Sequence, residues 1–414
     1  MKKALVLAGG FDQIALIEEL KIRGYYVILA DYYPHPVAKP VADKHYQVST
    51  LDIDKVIEVA RIEKVELVTT ACTDQALLTV ARVSEILELP FYLDFETARN
   101  VTNKEYMKQR FLEFSIPTAK HIIVDTLNSI QERIIDFQYP LIVKPVDCNS
   151  SKGVLKVNKF GELLRAVENA KNLSRTQTAI VEEFIEGKEY TVDFWIEHGE
   201  PVLLMASEIR KLQNRETFTI NGCRTLPELI EEKVEKLKEI AKKISVAFAL
   251  DNMPMFMQVI DNGEDIYVLE FSARMGGGTK YKMIELYSGV PIMKIYVDRI
   301  LGILPVLPHK LTRKNMLLSF VYCKAGVAKK IVGLQELQDK GVVFESYQYK
   351  PLGTRFIKAE NSGDRLLGVL LMAESNEEIR YKEKETYEQL SVLDENGYDI
   401  ILRELNEEGG CYAG

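Results

Sequence analysis

The segment 255–278 constrains the fold of this chain more than any other. It holds two short apolar strands on either side of the loop 261–264, whose Asn-Gly step strongly indicates a β-hairpin. Such a hairpin places Gln258 and Glu270 on neighbouring strands, and Arg274 follows where the chain enters three consecutive glycines. This set suits a divalent metal that holds polyphosphate, because it combines an amide oxygen, a carboxylate and an arginine with glycine backbone. A surface hairpin with a solvated glutamate is the alternative.

The composition indicates an ordered globular protein. A chain of 414 residues with 47% hydrophobic and 28% charged residues can bury a sizeable core and should form two or three domains. The net charge of −8 argues against binding to nucleic acid, which needs a basic surface.

The cysteines and the chain start point to the cytoplasm. The five cysteines are scattered without a CxxC pair, so neither a disulfide framework nor a zinc site is expected. The apolar run after Met1 is too short for a signal peptide, and no run approaches the roughly 20 residues of a membrane span. We therefore expect a cytoplasmic protein without membrane contact.

Residues 1–98 alternate strands with helices, which predicts a Rossmann-like domain built on a parallel sheet. Asp31 ends the second strand, where an acid that binds the ribose of NAD would lie. The glycine fingerprint of NAD sites is missing, however, because Gly9-Gly10 is not followed by the required pattern. A tight turn below a small ligand fits Gly9 and Gly10 better.

The pattern changes after residue 98. Asn103 is placed to cap a helix at 104–113, and mixed short strands and helices follow. We predict a domain at 99–304, with a small lid lobe at about 115–185 and a larger lobe at about 186–304. Residues 305–414 are predicted to form an α+β lobe.

Lys144 ends a strand and is followed by a polar loop rich in serine and glycine, 147–153. Backbone amides and hydroxyls of such a loop can bind phosphate oxygens, and the lysine adds positive charge. The loop lacks the GxxxxGK[ST] pattern, which excludes a P-loop. A solvated lysine beside a turn is the alternative.

The run Glu182-Glu183-Phe184-Ile185 closes another predicted strand. Backbone groups near Glu183 and Ile185 can hold a purine edge with Phe184 beside it, and Glu189 can reach back across a glycine turn to ribose hydroxyls. A strand that ends in an acidic surface explains the same residues without a ligand.

Taken together, these residues resemble the ATP-grasp superfamily, particularly carbamoyl-phosphate synthetase large subunits and biotin carboxylases. The resemblance spans nearly the whole chain and implies the ATP-grasp fold behind a Rossmann-like preATP-grasp domain. The C-terminal segments at 350–353 and 362–368 are similar to the tails of biotin-carboxylase-like and purine-pathway members. The matching residues occur in family order: Lys104, Lys144, the loop ending at Gly153, Glu182 to Ile185, Glu189, Gln258, Glu270 and Arg274.

The resemblance implies a nucleotide-binding role for the first part of this set. Lys104 and Lys144 would contact the phosphates of ATP, and Ser150, Ser151 and Gly153 would lie in the loop that covers them. Adenine would contact Glu182 and the backbone of Glu183, Phe184 and Ile185, with Glu189 on the ribose.

For the hairpin the resemblance implies a site for Mg²⁺ or Mn²⁺. Glu270 would bridge two ions, with Gln258 and Ser272 as further ligands, and Arg274 would stabilise the transferring phosphoryl group. Two residues depart from the commonest pattern: many members carry an acid in place of Gln258, and the usual residue at Ser272 is asparagine.

The function implied by the resemblance is an ADP-forming ligase that joins a small carboxylate to an amine, acting as a homodimer. A carboxyphosphate-forming carboxylase or carbamoyl-phosphate synthetase-like enzyme is one alternative, and an ATP-binding protein without catalysis is another. Four basic residues flank a segment without clear regular structure and either clamp a substrate carboxylate or form a solvated surface: Arg210, Lys211, Arg215 and Arg224.

Overall fold

Parallel strand pairing builds the N-terminal part of the chain. The computed structural model describes residues 1–148, 151–212, 218–225, 227–307 and 314–403, with only the backbone described at 227–232. A four-stranded sheet has the order β3-β2-β1-β4, and its strands pair in parallel. The predicted parallel sheet is confirmed. Its elements are β1 (Lys3–Leu7), α1 (Asp12–Ile22), β2 (Tyr26–Asp31), β3 (Lys44–Gln47), α2 (Ile53–Glu63), β4 (Leu67–Thr69), α3 (Asp74–Leu87) and α4 (Phe95–Thr102).

A second four-stranded sheet, here called the lid sheet, follows in the chain. Its order is β5-β8-β6-β7, with antiparallel pairing throughout. The Asn103 side chain caps α5 by accepting the Glu105 N–H at 2.8 Å, as the sequence predicts. The elements are α5 (Lys104–Glu113), β5 (His121–Val124), α6 (Ile130–Arg133), β6 (Leu141–Pro145), β7 (Leu155–Val157), α7 (Phe160–Leu173) and β8 (Ala179–Glu183).

A sheet of eight strands carries the rest of the chain. Its order is β13-β12-β9-β10-β11-β14-β19-β17, so strands from beyond residue 304 continue the sheet that holds the hairpin. Its elements, with the helices between them, are β9 (Lys188–Glu197), β10 (Glu200–Lys211), β11 (Ile220–Thr225), α8 (Pro227–Ala247), β12 (Met253–Asp261), β13 (Ile266–Ser272), α9 (Lys280–Ser288), α10 (Ile292–Ile300), β14 (Asn315–Val321), β17 (Glu345–Gln348) and β19 (Leu367–Ala373). The domain boundaries stay a prediction.

Smaller elements complete the C-terminal part. Two-stranded sheets pair β15 with β18 and β16 with β20. These elements are β15 (Gly326–Val327), β16 (Lys330–Val332), α11 (Leu334–Asp339), β18 (Arg355–Phe356), α12 (Asn376–Gln389) and β20 (Ser391–Leu393), with short 3-10 helices at Lys39–Val41 and Ser362–Asp364. Among the described residues, no helix is long and apolar enough to cross a membrane.

The central hairpin of β12 and β13 forms as the sequence predicts. Asn262 Oδ1 accepts the backbone N–H groups of Glu264 and Asp265 at 3.0 and 2.7 Å, which closes the loop. Gly263 adopts a φ of 93°, a conformation that favours glycine. Gln258 lies directly opposite Glu270 in the register, so the two oxygen donors are neighbours across the strands.

A β-bulge interrupts this hairpin beside Glu270. Gln258 pairs with Glu270 and Val259 with Val268, which leaves Leu269 as the extra residue. Bulges allow consecutive side chains to face the same way, and Leu269 and Glu270 line one cleft. The bulge follows from the apolar spacing, because Val268 and Phe271 are both buried in the core.

One segment expected to be irregular is a strand. Residues 220–225 form β11, and Lys211 belongs to β10, whereas 213–217 lie outside the described residues. The run Ile-Asn-Gly-Cys-Arg-Thr has little intrinsic strand preference. Pairing with β10 on one side and β14 on the other makes it a strand, which is a tertiary effect.

Candidate active site

Residues that are far apart in the sequence meet in one cavity of about 880 Å³, here called the first cleft. This volume includes solvent at the cleft mouth, and the cleft lies between the lid sheet and the hairpin. Lys144 and Glu270, which the sequence assigned to opposite sides of a bound nucleotide, share it. The predicted site residues that line the first cleft are Lys104, Lys144, Ser151, Glu182, Glu183, Phe184, Ile185, Glu189, Gln258 and Glu270.

Lys104 connects the loop that follows β6 to the hairpin. Its buried ammonium donates to the Cys148 carbonyl at 2.9 Å and lies 3.1 Å from Glu270 Oε2. Burial alone would lower the pKa of Lys104, but the nearby Glu270 carboxylate outweighs it and raises that pKa. The side chain therefore stays charged at the position where phosphate binding is expected.

Glu182 is held between two lysines at the floor of the first cleft. Its Oε2 lies 2.5 Å from Lys144 Nζ, and its Oε1 lies 2.8 Å from Lys108 Nζ. Burial would raise the pKa of Glu182, but the two ammonium groups outweigh burial and lower it from 4.5 to about 2. The carboxylate is ionised and can accept hydrogen bonds from a ligand.

Of the other predicted nucleotide contacts, Glu189 and Phe184 already have partners, whereas the Ile185 N–H has none in the described part of the chain. Lys211 binds the Glu189 carboxylate and also lines the first cleft, which gives this basic residue a place in the site. Lys156 lies 3.8 Å from the Phe184 ring centre. Among the described residues the Ile185 N–H donates to no protein acceptor, so it is open to a purine acceptor.

The loop 147–153 contributes Cys148, Ser151 and Lys152 to the lining of the first cleft. Ser151 donates to the Phe218 carbonyl at 3.2 Å and lines the first cleft. Gly153 lies outside the lining; its φ is 75°, and a Cβ there would meet Leu173 Cδ1 at 2.6 Å. Ser150 lies outside the described residues.

The metal assignment rests on two oxygen donors. Gln258 and Glu270 face the first cleft side by side, whereas the Ser272 hydroxyl donates to Asp74. Within the described ranges, no cluster of three or more His, Cys, Asp or Glu side chains could hold a metal ion. One carboxylate and one amide fit a Mg²⁺ ion that takes its other ligands from phosphate and water.

Arg274 is fixed by an aspartate of the N-terminal domain that the sequence analysis missed. Arg274 Nε donates to Asp74 Oδ1 at 2.7 Å, and Nη2 donates to Asp74 Oδ2. Burial would raise the pKa of Asp74, but Arg274 outweighs burial and lowers it. Nη1 donates to the Met275 carbonyl at 2.6 Å. The guanidinium is therefore oriented before any ligand binds.

A second cavity of about 1580 Å³, the second cleft, adjoins the first. Both are lined by Ser151, Gln258 and Glu270. Arg274 lines the second cleft, as do the glycines 276–278. At Ser151, Gln258 and Glu270 the first cleft thus opens into a separate chamber.

Arg365 is the notable cation of the second cleft. Its side chain is buried, stacks 3.6 Å from the Phe320 ring centre and donates to Tyr322 and Ser362 at 3.2 and 2.8 Å. Within the described part of the chain, no carboxylate lies within ion-pair distance of it. The guanidinium is available to an anionic ligand.

Two arginines that were candidates for a substrate clamp are occupied elsewhere. Arg210 pairs with Glu383 at 2.7 Å and Arg224 with Glu208 at 3.0 Å, and neither lines the two clefts. Arg224 is 5% exposed, so it is not part of a solvated surface either. Arg215 lies outside the described residues.

Asp31, the acid that would bind ribose in an NAD site, makes hydrogen bonds within the protein. Asp31 accepts the Gly9 and Tyr33 N–H groups at 2.7 and 2.8 Å. A Cβ on Gly9 would lie 2.4 Å from Pro36, so this glycine is required by packing. Gly10 lines the second cleft.

Sequence reasoning missed Lys108, Asp74 and Arg365. Lys108 lies one helical turn after Lys104, a spacing that places both on one face of α5 and would have identified it. Arg365 lies in a segment already noted for its similarity to other families. Asp74 carries no local signal, because its partner is 200 residues away.

Comparisons with known proteins identify the fold that holds these clefts. The profile of the ATP-grasp domain matches residues 137–282. The chain is 25% identical over 404 residues to formate-dependent phosphoribosylglycinamide formyltransferase of Haemophilus ducreyi, covering 94% of this chain and 96% of that protein. The chain therefore contains an ATP-grasp domain at residues 137–282 and has the ATP-grasp fold.

Two further relatives show the range of the likeness. Carbamoyl phosphate synthase large chain of Clostridium acetobutylicum is 26% identical over 290 residues, which are 68% of this chain but only 26% of that protein. The structure of L-amino acid ligase from Bacillus licheniformis has a TM-score of 0.79 at 20% identity and covers 96% of this chain and 99% of its own. This chain thus spans about a quarter of the synthase.

Proposed function

We propose that this protein is an ATP-dependent ligase that activates a carboxylate as an acyl phosphate and joins it to an amine. The observation that carries the proposal is that the two clefts meet at Ser151, Gln258 and Glu270. A nucleotide with its base near Glu182 would direct its phosphates to this junction. The names of two relatives, D-alanine–D-alanine ligase B of Clostridium perfringens and the Bacillus licheniformis L-amino acid ligase, support this reading.

The reaction has two balanced steps. A carboxylate oxygen attacks the γ-phosphorus of ATP, the bond to the bridging oxygen breaks, and ADP leaves. The amine then attacks the acyl carbon, phosphate leaves, and the amine nitrogen loses a proton. Lys104, Lys144 and the preoriented Arg274 offset the negative charge spread over the phosphoryl oxygens, and enclosure of the junction protects the acyl phosphate from water.

We further propose that Gln258 and Glu270 hold a Mg²⁺ or Mn²⁺ ion together with phosphate oxygens. When bound, the ion supplies positive charge to the phosphates. Ser272 is a weaker candidate for this role because its hydroxyl is engaged by Asp74.

The second cleft is proposed to bind the carboxylate substrate, with Arg365 as its anion contact. Arg365→Met should raise the KM for that substrate about tenfold or more, because a charge-assisted contact is lost. The ADP dissociation constant should not change, because Arg365 does not line the first cleft. Equal loss of substrate and ADP binding would contradict this assignment.

An ADP-release assay tests the proposed function. Purified protein with ATP and Mg²⁺ is given pooled amino acids, bicarbonate with ammonia, or no acceptor. ADP formation that depends on an amino-acid mixture supports the ligase, whereas dependence on bicarbonate alone supports the carboxylase or synthetase alternative. Nucleotide binding without turnover under every condition supports the non-catalytic alternative.

The matched control for this assay is Glu270→Ala. It should reduce turnover by about 100-fold or more in either enzymatic case, because the site loses its charged oxygen donor at the junction. Unchanged turnover would rule out the role of Glu270. We also propose a homodimer on the family resemblance, which light scattering of the purified protein would test.

A further inference from the structure

Lys108 is a buried lysine that the proposed reaction does not use. Its side chain is 0% exposed, and it lines neither cleft. Its ammonium lies 2.8 Å from Glu182 Oε1 and also donates to the Thr118 hydroxyl. Burying an ammonium ion is costly, so its contact with Glu182 needs an explanation.

A second lysine, Lys144, also contacts Glu182, and its position shows what Lys108 contributes. Lys144 lies 2.5 Å from Glu182 Oε2 and lines the first cleft, so its ammonium can turn to a bound phosphate. If Lys144 leaves, a buried carboxylate without another cation would be strongly destabilised. Lys108 remains behind Glu182 and keeps its charge balanced.

We propose that Lys108 is a positioning residue that holds Glu182 as a hydrogen-bond acceptor for the purine, and that it thereby sets a preference for adenine over guanine nucleotides. The inference rests on the nucleotide site of the proposed function, but it does not depend on the ligase reaction.

The chemistry of the two bases explains the expected preference. Adenine carries an amino group at C6, which donates to an ionised carboxylate. Guanine carries a carbonyl oxygen there, so a carboxylate would face a second acceptor with no proton between them. A site whose buried polar groups would be left without hydrogen-bond partners discriminates strongly against such an analogue.

The surroundings of Lys108 keep its ammonium in place. Thr118, which accepts from Lys108, donates to the Val268 carbonyl of the hairpin at 2.8 Å. Lys108 is therefore anchored on the hairpin side while it contacts Glu182 on β8 of the lid sheet. A rigid anchor of this kind fixes where the carboxylate points.

Calorimetric titration of ADP and GDP, each with Mg²⁺, tests the proposal. The wild-type protein should bind ADP more tightly than GDP. In Lys108→Met, Glu182 keeps Lys144 as its one cation, so the ratio of the GDP to the ADP dissociation constant should fall about tenfold or more. Lys108→Arg should restore most of that ratio. Lys159→Met, in the lid lobe that also holds Glu182 but with its side chain 76% exposed, should leave the ratio unchanged.

A purely structural role predicts a different result. Both dissociation constants would then rise by the same factor in Lys108→Met, and that outcome overturns the proposal. An unchanged ratio, or a wild-type protein that binds GDP as tightly as ADP, also overturns it. If the protein prefers ADP but shows no ligase turnover, the proposed function is wrong and this inference still holds.

Two more variants cover the case in which Lys108→Met does not fold. Glu182→Gln offers both a donor and an acceptor to the base, so the preference for ADP should shrink. The double variant Lys108→Met with Glu182→Met removes both charges and should fold while losing the preference. Retention of the wild-type ratio in either variant contradicts the proposal.

Discussion

Asp74 and Arg274 form an ion pair, and loss of either partner would leave the other charge without its counter-ion. The Asp74 and Arg274 side chains are 15% and 10% exposed, and two hydrogen bonds join them. The contact brings the N-terminal domain to the residue expected to stabilise the phosphoryl group. The orientation of Arg274, which follows β13, is thus supplied by a residue at the start of α3.

Asp74→Ala should destabilise the protein by about 3–5 kcal/mol, because it leaves a buried guanidinium without its counter-ion. Urea unfolding at neutral pH measures this change. Asp94→Ala, which removes an exposed cap of α4, is the control and should cost only about 1 kcal/mol. Similar losses for the two variants would contradict a special role for Asp74.

The ionised state of Glu182 predicts a pH dependence. Because its pKa falls from 4.5 to about 2 in the folded protein, this carboxylate stabilises the fold above pH 4.5 and loses that contribution as the pH falls toward about 2. The difference in unfolding free energy between wild type and Glu182→Gln should therefore be constant at neutral pH and shrink below about pH 4.5. Urea unfolding from pH 7 to pH 3.5 measures it, and a pH-independent difference would refute the ion cluster.

At the scale of elements, the turn between β8 and β9 is packed against the central hairpin. A Cβ on Gly187 would lie 2.4 Å from the Asp261 carbonyl oxygen and 2.7 Å from Ile260 Cγ2. The backbone of β12 cannot move aside as a flexible side chain can. The turn that leads into β9, where Glu189 is the second residue, is therefore placed by contact with β12.

Gly187→Ala should cost about 1–3 kcal/mol of stability and weaken ADP binding, because the turn must move away from β12 and carry Glu189 with it. Denaturation and calorimetry measure the two effects. Gly161→Ala is the matched control: a Cβ there meets nothing within 4 Å in helix α7, and alanine should stabilise the helix by about 0.5–1 kcal/mol. Normal ADP affinity in the Gly187 variant would contradict the packing argument.

At the scale of the whole molecule, the first cleft has one wall from the lid sheet and another from the hairpin. Lys104 already connects these walls through Cys148 and Glu270. In the proposed function, a nucleotide in this cleft contacts both walls and directs its phosphates to the junction with the second cleft.

Hydrogen exchange with and without ADP and Mg²⁺ tests this arrangement. Bound nucleotide should protect backbone amides at 151–154 and 183–189 on one side and at 258–270 on the other, because both walls lose access to solvent. Amides of α12 serve as the internal control and should be unaffected. Protection confined to one wall would contradict a shared site.

The sequence was informative wherever the signal was local. The Asn262-Gly263 step, the Asn103 cap and the apolar alternation of residues 1–98 each act through neighbouring atoms, and the elements they predict are present. The direct pairing of Gln258 with Glu270 follows from the hairpin. The bulge at Leu269 was readable from apolar spacing but was missed.

By itself, the sequence determined the hairpin, the lysine and glutamate positions of the first cleft and the order of the elements. Only the tertiary structure decided the partners: Asp74 for Arg274 and Ser272, Lys108 for Glu182, and the pairing that makes β11 a strand. The physical reason is that turns and caps depend on a few adjacent residues, whereas ion pairs and sheet edges depend on where distant segments come to lie. The sequence shows which kinds of group a charged side chain can bind, whereas the fold determines which partner it contacts.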